Sequence, residues 1–392
     1  MPRVSFIVPC YNLGHLLREC VDSILMQTFG DFEVLIMDDC SPDNTPEVAR
    51  SFSDARVIHI RNEVNLGHLR NYNKGIELAR GEYVWQISAD DHLRKPYILE
   101  RYLSVMDKHP EAGYAICPAV TLYSGRETQV VRHSVLSQED LILNGRRFLY
   151  TLLTHNPVLV PACMVRKECF HKVSMFPLDL PFAGDWYLWC IFALYYDVIY
   201  FAEPMVNYRE HEMSMTNSLI RSDYRVLSQD DLAVRWRMKD KLWALGYDAM
   251  ARHCEDIIAK EYVRYLSQGY KASDCKMGWE DFERSLDIHG KDGKDRGEIR
   301  RRVLVGYGDA AYWQREFKES MNSYGRAMRE GPVGLELWIK MLLSRLGRAG
   351  WIARRALGKL IQISRRIRVS YRTVFEGRCG VPMKQPVRAI AL

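Results

Sequence analysis

The chain has 392 residues, 47% of them hydrophobic and 27% charged, proportions of ordinary globular protein with room for two or three domains. Ten cysteines without a C-x-x-C pair argue against a zinc site and a disulfide framework and point to a reducing cytosol. No apolar run is long enough to span a bilayer, and the net charge of +6 is concentrated near the C-terminal end.

Met1-Pro2-Arg3 leads straight into a strand-like run with no leader peptide, so the expected compartment is the cytoplasm. The pattern then predicts a strand over 4–8, an amphipathic helix over 13–27, a strand over 32–37, a helix over 45–52 and a strand over 56–60. A helix over 69–79 and a fourth strand over 83–87 follow. Strands alternating with helices imply an α/β fold with a mainly parallel, Rossmann-like sheet. Beyond it the expectations are a strand over 114–122, a polar turn at 124–126, a helix near 137–151, a helix over 184–195, and strands at 198–201 and 205–208. Helical patterns cover 224–245, 249–267, 279–286 and 309–329. The expected organisation is a sheet domain over 1–220, a helical domain over 221–332 and a basic amphipathic helical tail over 333–392.

The chemistry-bearing residues fall at the carboxyl ends of the strands, where open α/β sheets bind ligands. The apolar run Tyr83 to Ile87 ends in Ser88-Ala89-Asp90-Asp91. A buried carboxylate costs several kcal/mol unless something pairs with it. Two together imply a cation, and hard oxygen ligands suit Mg²⁺ or Mn²⁺ carrying phosphates. The plain alternative is that Asp91 caps a helix beginning near Lys95-Pro96. Asp38-Asp39 closes the second strand, where a carboxylate can accept from a base N–H or a ribose hydroxyl, and Arg70 after Asn65-Leu66-Gly67 can pair with phosphate. These are the parts of a site for a nucleoside diphosphate.

In Val8-Pro9-Cys10-Tyr11-Asn12, Asp38-Asp39-Cys40-Ser41, Asn65-Leu66-Gly67 with Arg70-Asn71, Gly81-Glu82-Tyr83, Asp90-Asp91 and Gly184-Asp185-Trp186, the chain resembles the family 2 inverting glycosyltransferases of the GT-A fold over roughly residues 1–220. The resemblance implies that Asp39 recognises the uracil or its equivalent, that Pro9 and Tyr11 line the base pocket, and that Arg70 lies by the base or diphosphate. It makes Asp90 and Asp91 the end of the metal motif, although Ser88 stands where the family often has Asp. Asp185 would be the catalytic base. In the segment Tyr208 to Ser214, His211 would close over the diphosphate and join the metal ligands. The Gln-x-x-Arg-Trp motif of the processive enzymes is missing, which favours transfer of a single sugar.

Each residue also has a plainer reading. Asp185 suits a helix N-cap, Asp38 and Asp43 suit turns, and Trp186, Tyr187 and Trp189 suit the core. In the tail, eleven basic residues from Lys340 to Arg378 face one acid, Glu376. On a helical wheel Ile352, Ala353, Ala356, Leu357, Leu360, Ile363 and Ile367 fill one arc and Arg354, Arg355, Lys359, Arg365, Arg366 and Arg368 the other. Leu335, Trp338, Ile339, Leu342, Leu343 and Leu346 are apolar enough to join the first. This layout fits a helix lying on an anionic membrane surface. A basic face solvated on its own domain is the plainer reading. Aromatic stacking residues are missing among the arginines, which argues against nucleic acid.

The resulting expectation is a cytoplasmic enzyme, peripheral to the inner face of the cytoplasmic membrane. It would move one sugar from a nucleotide-diphosphate sugar, foremost a UDP-sugar, to a glycan or lipid-linked glycan with Mn²⁺ or Mg²⁺ as cofactor, in bacterial cell-surface polysaccharide assembly. The rivals are an inactive sugar-nucleotide-binding scaffold and a nucleotidyltransferase, the latter disfavoured because the first turn holds no glycine-rich loop.

Overall fold

All seven residues of β1 (Val4–Cys10) and of β2 (Phe32–Asp38) are buried, as a strand requires when helices cover both faces of its sheet. The computed structural model describes residues 1–212, 214–223, 225–269, 273, 275–331, 334–355 and 388–389. Between and after these strands come α1 (Gly14–Leu25), α2 (Thr45–Arg50), β3 (Val57–Arg61), α3 (His68–Leu78) and β4 (Tyr83–Gln86). The four strands pair in parallel in the order β3-β2-β1-β4, so their carboxyl ends share one edge.

The chain continues through β5 (His92–Leu93), α4 (Ile98–Met106), β6 (Ala112–Ile116), β7 (Ala119–Tyr123), β8 (Arg126–Val130), β9 (Leu141–Leu143) and α5 (Gly145–Thr154). Then follow β10 (Cys163–Arg166), α6 (Lys167–Lys172), α7 (Gly184–Tyr195), β11 (Asp197–Tyr200), β12 (Val206–Glu210) and α8 (Met215–Ser222). Strand β10 inserts antiparallel between β4 and β6, and β11 runs parallel to β6 but antiparallel to β9. Every pairing among the first four strands is therefore parallel, and the sheet is mixed beyond β4.

Two local expectations change, and the expected turn between them is found. The strand expected over 114–122 is two strands, because Pro118 has no N–H for the ladder. The first half stays in the large sheet, and the second starts a four-stranded sheet ordered β5-β12-β7-β8. The turn at 124–125 has two left-handed residues, Ser124 at φ 49° and Gly125 at φ 74°, the conformation that closes a tight hairpin. The helix expected near 137–151 starts only at Gly145. Asn144 caps it by accepting from the Arg147 amide, and a Cβ at Gly145 would lie 1.9 Å from the Tyr196 carbonyl oxygen. Residues before that cap pair with β11 instead.

The chain divides into two compact units, Met1–Val234 with the short strand β13 (Arg388–Ala389), and a second beginning at Arg235. Helix α9 (Val226–Ala244) crosses the division. The second unit contains α10 (Asp248–Ser267), α11 (Trp279–His289), α12 (Gly293–Trp313), α13 (Phe317–Arg329) and α14 (Leu335–Arg345). The single helix expected over 309–329 breaks at Arg315, which is left-handed at φ 68°. Gly308 admits the Tyr324 ring, whose Cε1 would lie 2.5 Å from an added Cβ. Leu304, Tyr324, Ala327 and Leu337 form a small core that joins α12, α13 and α14. No helix among the described residues is long and apolar enough to cross a membrane. The tail arc ending at Ile367 lies outside the described residues from Ala356 onward.

Helix α3 meets the sheet through Gly75, where an added Cβ would fall 2.6 Å from Ile7 Cγ2 and 3.3 Å from Met37 Cγ. Gly75→Val should therefore overpack this contact and destabilise the first unit by about 1–3 kcal/mol, measured as a shift of the urea midpoint. An unchanged midpoint would contradict the close approach of α3 to β1.

Candidate active site

The ends of β1, β2 and β4 are laced together. The Cys10 carbonyl accepts from the Asp39 amide at 2.9 Å, and the Pro9 carbonyl accepts from the Ala89 amide at 3.1 Å. The Asn12 amide donates to Ser41 Oγ at 3.1 Å. Asn12 and Cys40 take left-handed φ values of 58° and 60°, which turns both loops sharply at the strand ends. Pro9 is thereby buried in the ladder, while the Tyr11 side chain is half exposed at the rim.

Asp38 and Asp39 do different work. Asp38 is fully buried and accepts from the Ser41 amide at 2.8 Å and from Arg61 Nη1 at 2.7 Å, so it fixes the turn and ties β2 to β3. Asp39 Oδ1 accepts from Asn62 Nδ2 and from the Leu66 amide, both at 2.8 Å, and Oδ2 accepts from the Gly67 amide at 3.0 Å. Oδ2 thus keeps acceptor capacity for one further donor. The same bonds order residues 62–67 and set the start of α3. Arg70, in the first turn of α3, is exposed and makes no ion pair among the described residues.

The small sheet assembles the second cluster. Strand β12 pairs antiparallel with β5 through Val206↔Leu93 and Asn207↔His92, which carries Arg209 and His211 back beside Asp90 and Asp91. Asp91 Oδ1 accepts from the Arg209 amide at 2.8 Å. Arg209 Nε donates to the Asp90 carbonyl at 2.8 Å and Nη2 to Glu19 Oε2 at 2.6 Å. His211 Nε2 lies 2.9 Å from Asp90 Oδ2. Asp91 is therefore no helix cap; the helix that follows, α4, is preceded by Tyr97. Burial, and then the neighbouring Asp90 charge, push the Asp91 carboxyl well above the carboxylate range.

This cluster is short of positive charge, because the Arg209 guanidinium is already committed to Glu19 and a carbonyl. Two adjacent carboxylates and an imidazole are a donor set that fits Mg²⁺ or Mn²⁺. Among the described residues no three acidic, His or Cys side chains already converge on one ion position. Such an ion would complete its shell with phosphate oxygens.

Asp185 lies in the first turn of α7, two residues past the cap position, Ala183. Its Oδ1 accepts from the Trp186 amide at 2.7 Å and its Oδ2 from Asn156 Nδ2 at 3.3 Å. Burial outweighs these bonds and raises its pKa to about 6. A carboxylate tuned toward neutrality is suited to taking a proton. The segment leading to it is held by α3: Asn73 Nδ2 donates to the Phe176 carbonyl at 2.9 Å, the Phe176 amide donates to Asn73 Oδ1 at 3.0 Å, and His68 Nε2 lies 2.8 Å from the Pro181 carbonyl.

Residues 5–173 match the family model described as glycosyl transferase family 2. The chain carries a family 2 glycosyltransferase domain. It is similar to the Bacillus subtilis protein named as an uncharacterized glycosyltransferase, EpsJ, at 39% identity over 197 residues, which cover 47% of this chain and 54% of that protein. A Rickettsia typhi protein named as an uncharacterized glycosyltransferase is 28% identical over 228 residues, 56% of this chain and 67% of the relative. The fold is also that of Staphylococcus aureus TarS residues 1–349 in complex with UDP-GlcNAc, at a TM-score of 0.53 and 19% identity, covering 90% of this chain and 89% of that one.

Within the glycosyltransferase domain one residue links the two clusters, and sequence reasoning missed it. The Tyr72 hydroxyl bonds to Ser88, the position where the family often has Asp. Burial, then Asp90, Asp185 and Asp91 in that company, push its phenol above its ordinary value. Tyr72 thus lies within electrostatic reach of both the acidic pair and Asp185. Arg209 and Asn156 were also missed. Arg209 stood beside His211 in the quoted segment, but only strand pairing shows what it holds, and Asn156 sits in a loop with no motif.

Because the folded chain holds the Asp185 proton more tightly than the unfolded one, this group's stabilising contribution is complete below about pH 4. It is lost as pH rises to about 6. Asp185→Asn should lack that slope, so its stability relative to the native chain should increase across this window by at most roughly 3 kcal/mol. Urea titrations at several pH values measure it, and a difference that is flat with pH would contradict the burial of the carboxyl.

Proposed function

We propose that the domain is an inverting transferase that moves a single sugar from a nucleoside diphosphate sugar to an acceptor hydroxyl. The observation that carries this reading is the pairing of a buried carboxyl raised to about 6, Asp185, with an acidic pair short of cations, both within reach of Tyr72. The acceptor oxygen attacks the anomeric carbon from the face opposite the diphosphate, and Asp185 takes its proton. The bond from the anomeric carbon to the diphosphate oxygen breaks, and its electron pair leaves with the diphosphate. Asp90, Asp91 and His211 would hold Mn²⁺ or Mg²⁺, which supplies charge stabilisation at the departing diphosphate. Asp39 would receive the base through its free acceptor position, with Pro9 and Tyr11 flanking it and Arg70 facing the phosphates.

A UDP-sugar is the favoured donor class, a reading supported by the UDP-GlcNAc held by TarS, which shares the fold. The acceptor class is a glycan, foremost a lipid-linked one at the cytoplasmic face of a bacterial membrane, supported by the basic surplus from Lys340 to Arg378. Assembly of cell-surface polysaccharide is the setting this acceptor implies.

The test is a thermal-shift screen of UDP-, GDP- and dTDP-sugars with and without Mn²⁺, followed by turnover. Asp185→Asn should lower turnover about 10²–10⁴-fold while donor binding survives; near-normal transfer would remove Asp185 from the role. In the native enzyme, kcat should rise with pH through about 6 and level off above it, because only the ionised carboxylate accepts the proton. Asp91→Ala or Asp90→Ala should abolish the metal dependence of donor binding. Binding of a sugar nucleotide without transfer or hydrolysis in the native chain would instead favour the scaffold reading, for which Ser88 is the one motivating residue.

A further inference from the structure

Helix α14 has two apolar faces, and only one is covered. Leu337 is buried, and Met341 packs beside it against Leu304, Tyr324 and Ala327. On the opposite side Leu335, Trp338, Ile339, Leu342 and Leu346 are 75%, 53%, 46%, 58% and 54% exposed. At about 100° per residue these five fall within a single arc of about 100°, and no polar residue of the helix enters it. Isolated exposed apolar residues are ordinary, but a continuous stripe of five marks an interaction surface.

The flanking charges identify the partner. Arg345 borders the arc on the helix wheel, and both it and Arg348 are exposed without an ion pair among the described residues. Lys340 and Arg354, by contrast, are committed to Asp309 at 2.9 and 2.7 Å. The sequence from Lys340 to Arg378 adds further basic residues against one acid. An apolar stripe with an indole in it, bordered by the unpaired Arg345 guanidinium and followed by Arg348, fits the boundary between acyl chains and anionic headgroups.

We propose that the exposed face of α14 docks flat on an anionic lipid bilayer, with Leu342 near the centre of the buried stripe and Trp338 at its edge beside Arg345. The docking is independent of the donor chemistry, since it is read without turnover. It differs from the amphipathic arc running on from Ile352, because its residues belong to a helix whose other face is packed in the second unit.

The experiment is flotation of the full chain with vesicles of phosphatidylglycerol and phosphatidylcholine, compared with phosphatidylcholine alone. The native chain should float with the anionic vesicles at low salt and release as salt screens the arginines. Trp338→Glu with Leu342→Glu should lower the bound fraction at least about tenfold while the circular dichroism spectrum stays native. Arg345→Glu with Arg348→Glu should weaken binding to anionic vesicles selectively. Three results would overturn the proposal: a native chain that ignores anionic vesicles at every salt concentration, vesicle binding that survives the Trp338/Leu342 double substitution unchanged, or a concentration-dependent dimer, seen by sedimentation, that the same substitution abolishes.

Discussion

Arg209 is the fastening on which the acidic turn depends. Its backbone amide, its Nε and its Nη2 bond respectively to Asp91, to the Asp90 carbonyl and to Glu19 on α1. Two adjacent carboxylates in a buried turn repel each other and resist leaving water. Without a donor on the protein side the turn would open toward solvent. Arg209 satisfies the backbone and one carboxylate oxygen, yet leaves the pair undercompensated. The turn therefore keeps a surplus of negative charge at the carboxyl end of β4.

Helix α3 transmits position from one end of the site to the other. At its start the Gly67 amide is bonded by Asp39, and at its middle Asn71 donates to the Met37 carbonyl at 2.9 Å and accepts from Asn62. Its outer face carries Tyr72 to Ser88 and Asn73 to the loop before Asp185. Asp39, the acidic pair and the buried Asp185 are thus referred to one rigid element. Positioning by a helix packed through a glycine is more exact than positioning by loops alone.

The second unit follows a different logic. Its helices pack through small residues such as Gly308, and through half-buried charges such as Asp309, which gathers Tyr324, Lys340 and Arg354. Those charges are spent inside the unit. Arg345 and Arg348 are not, which is why the charge of this region at its surface differs from a simple count of its basic residues.

The sequence by itself determined the first four strands, their helices and the identity of the acidic turns. There periodicity and composition agree, and parallel strands buried on both faces read as unbroken apolar runs. It also placed Asp185 in the first turn of an aromatic helix. Tertiary structure alone decided the mixed half of the sheet, because β10 is a short apolar segment whose direction depends on its neighbours, and because Pro118 divides one apolar run between two sheets. It alone decided that Asp38 is a tie between strands while Asp39 keeps an open acceptor. Which partners a buried carboxylate finds depends on residues 20 or more positions away, such as Arg61, Asn62 and Leu66. Likewise Tyr72 and Arg209 look like ordinary core and strand residues in the sequence. They acquire their roles only when strand pairing and helix packing bring distant charges within hydrogen-bond reach, a distance that local spacing does not encode.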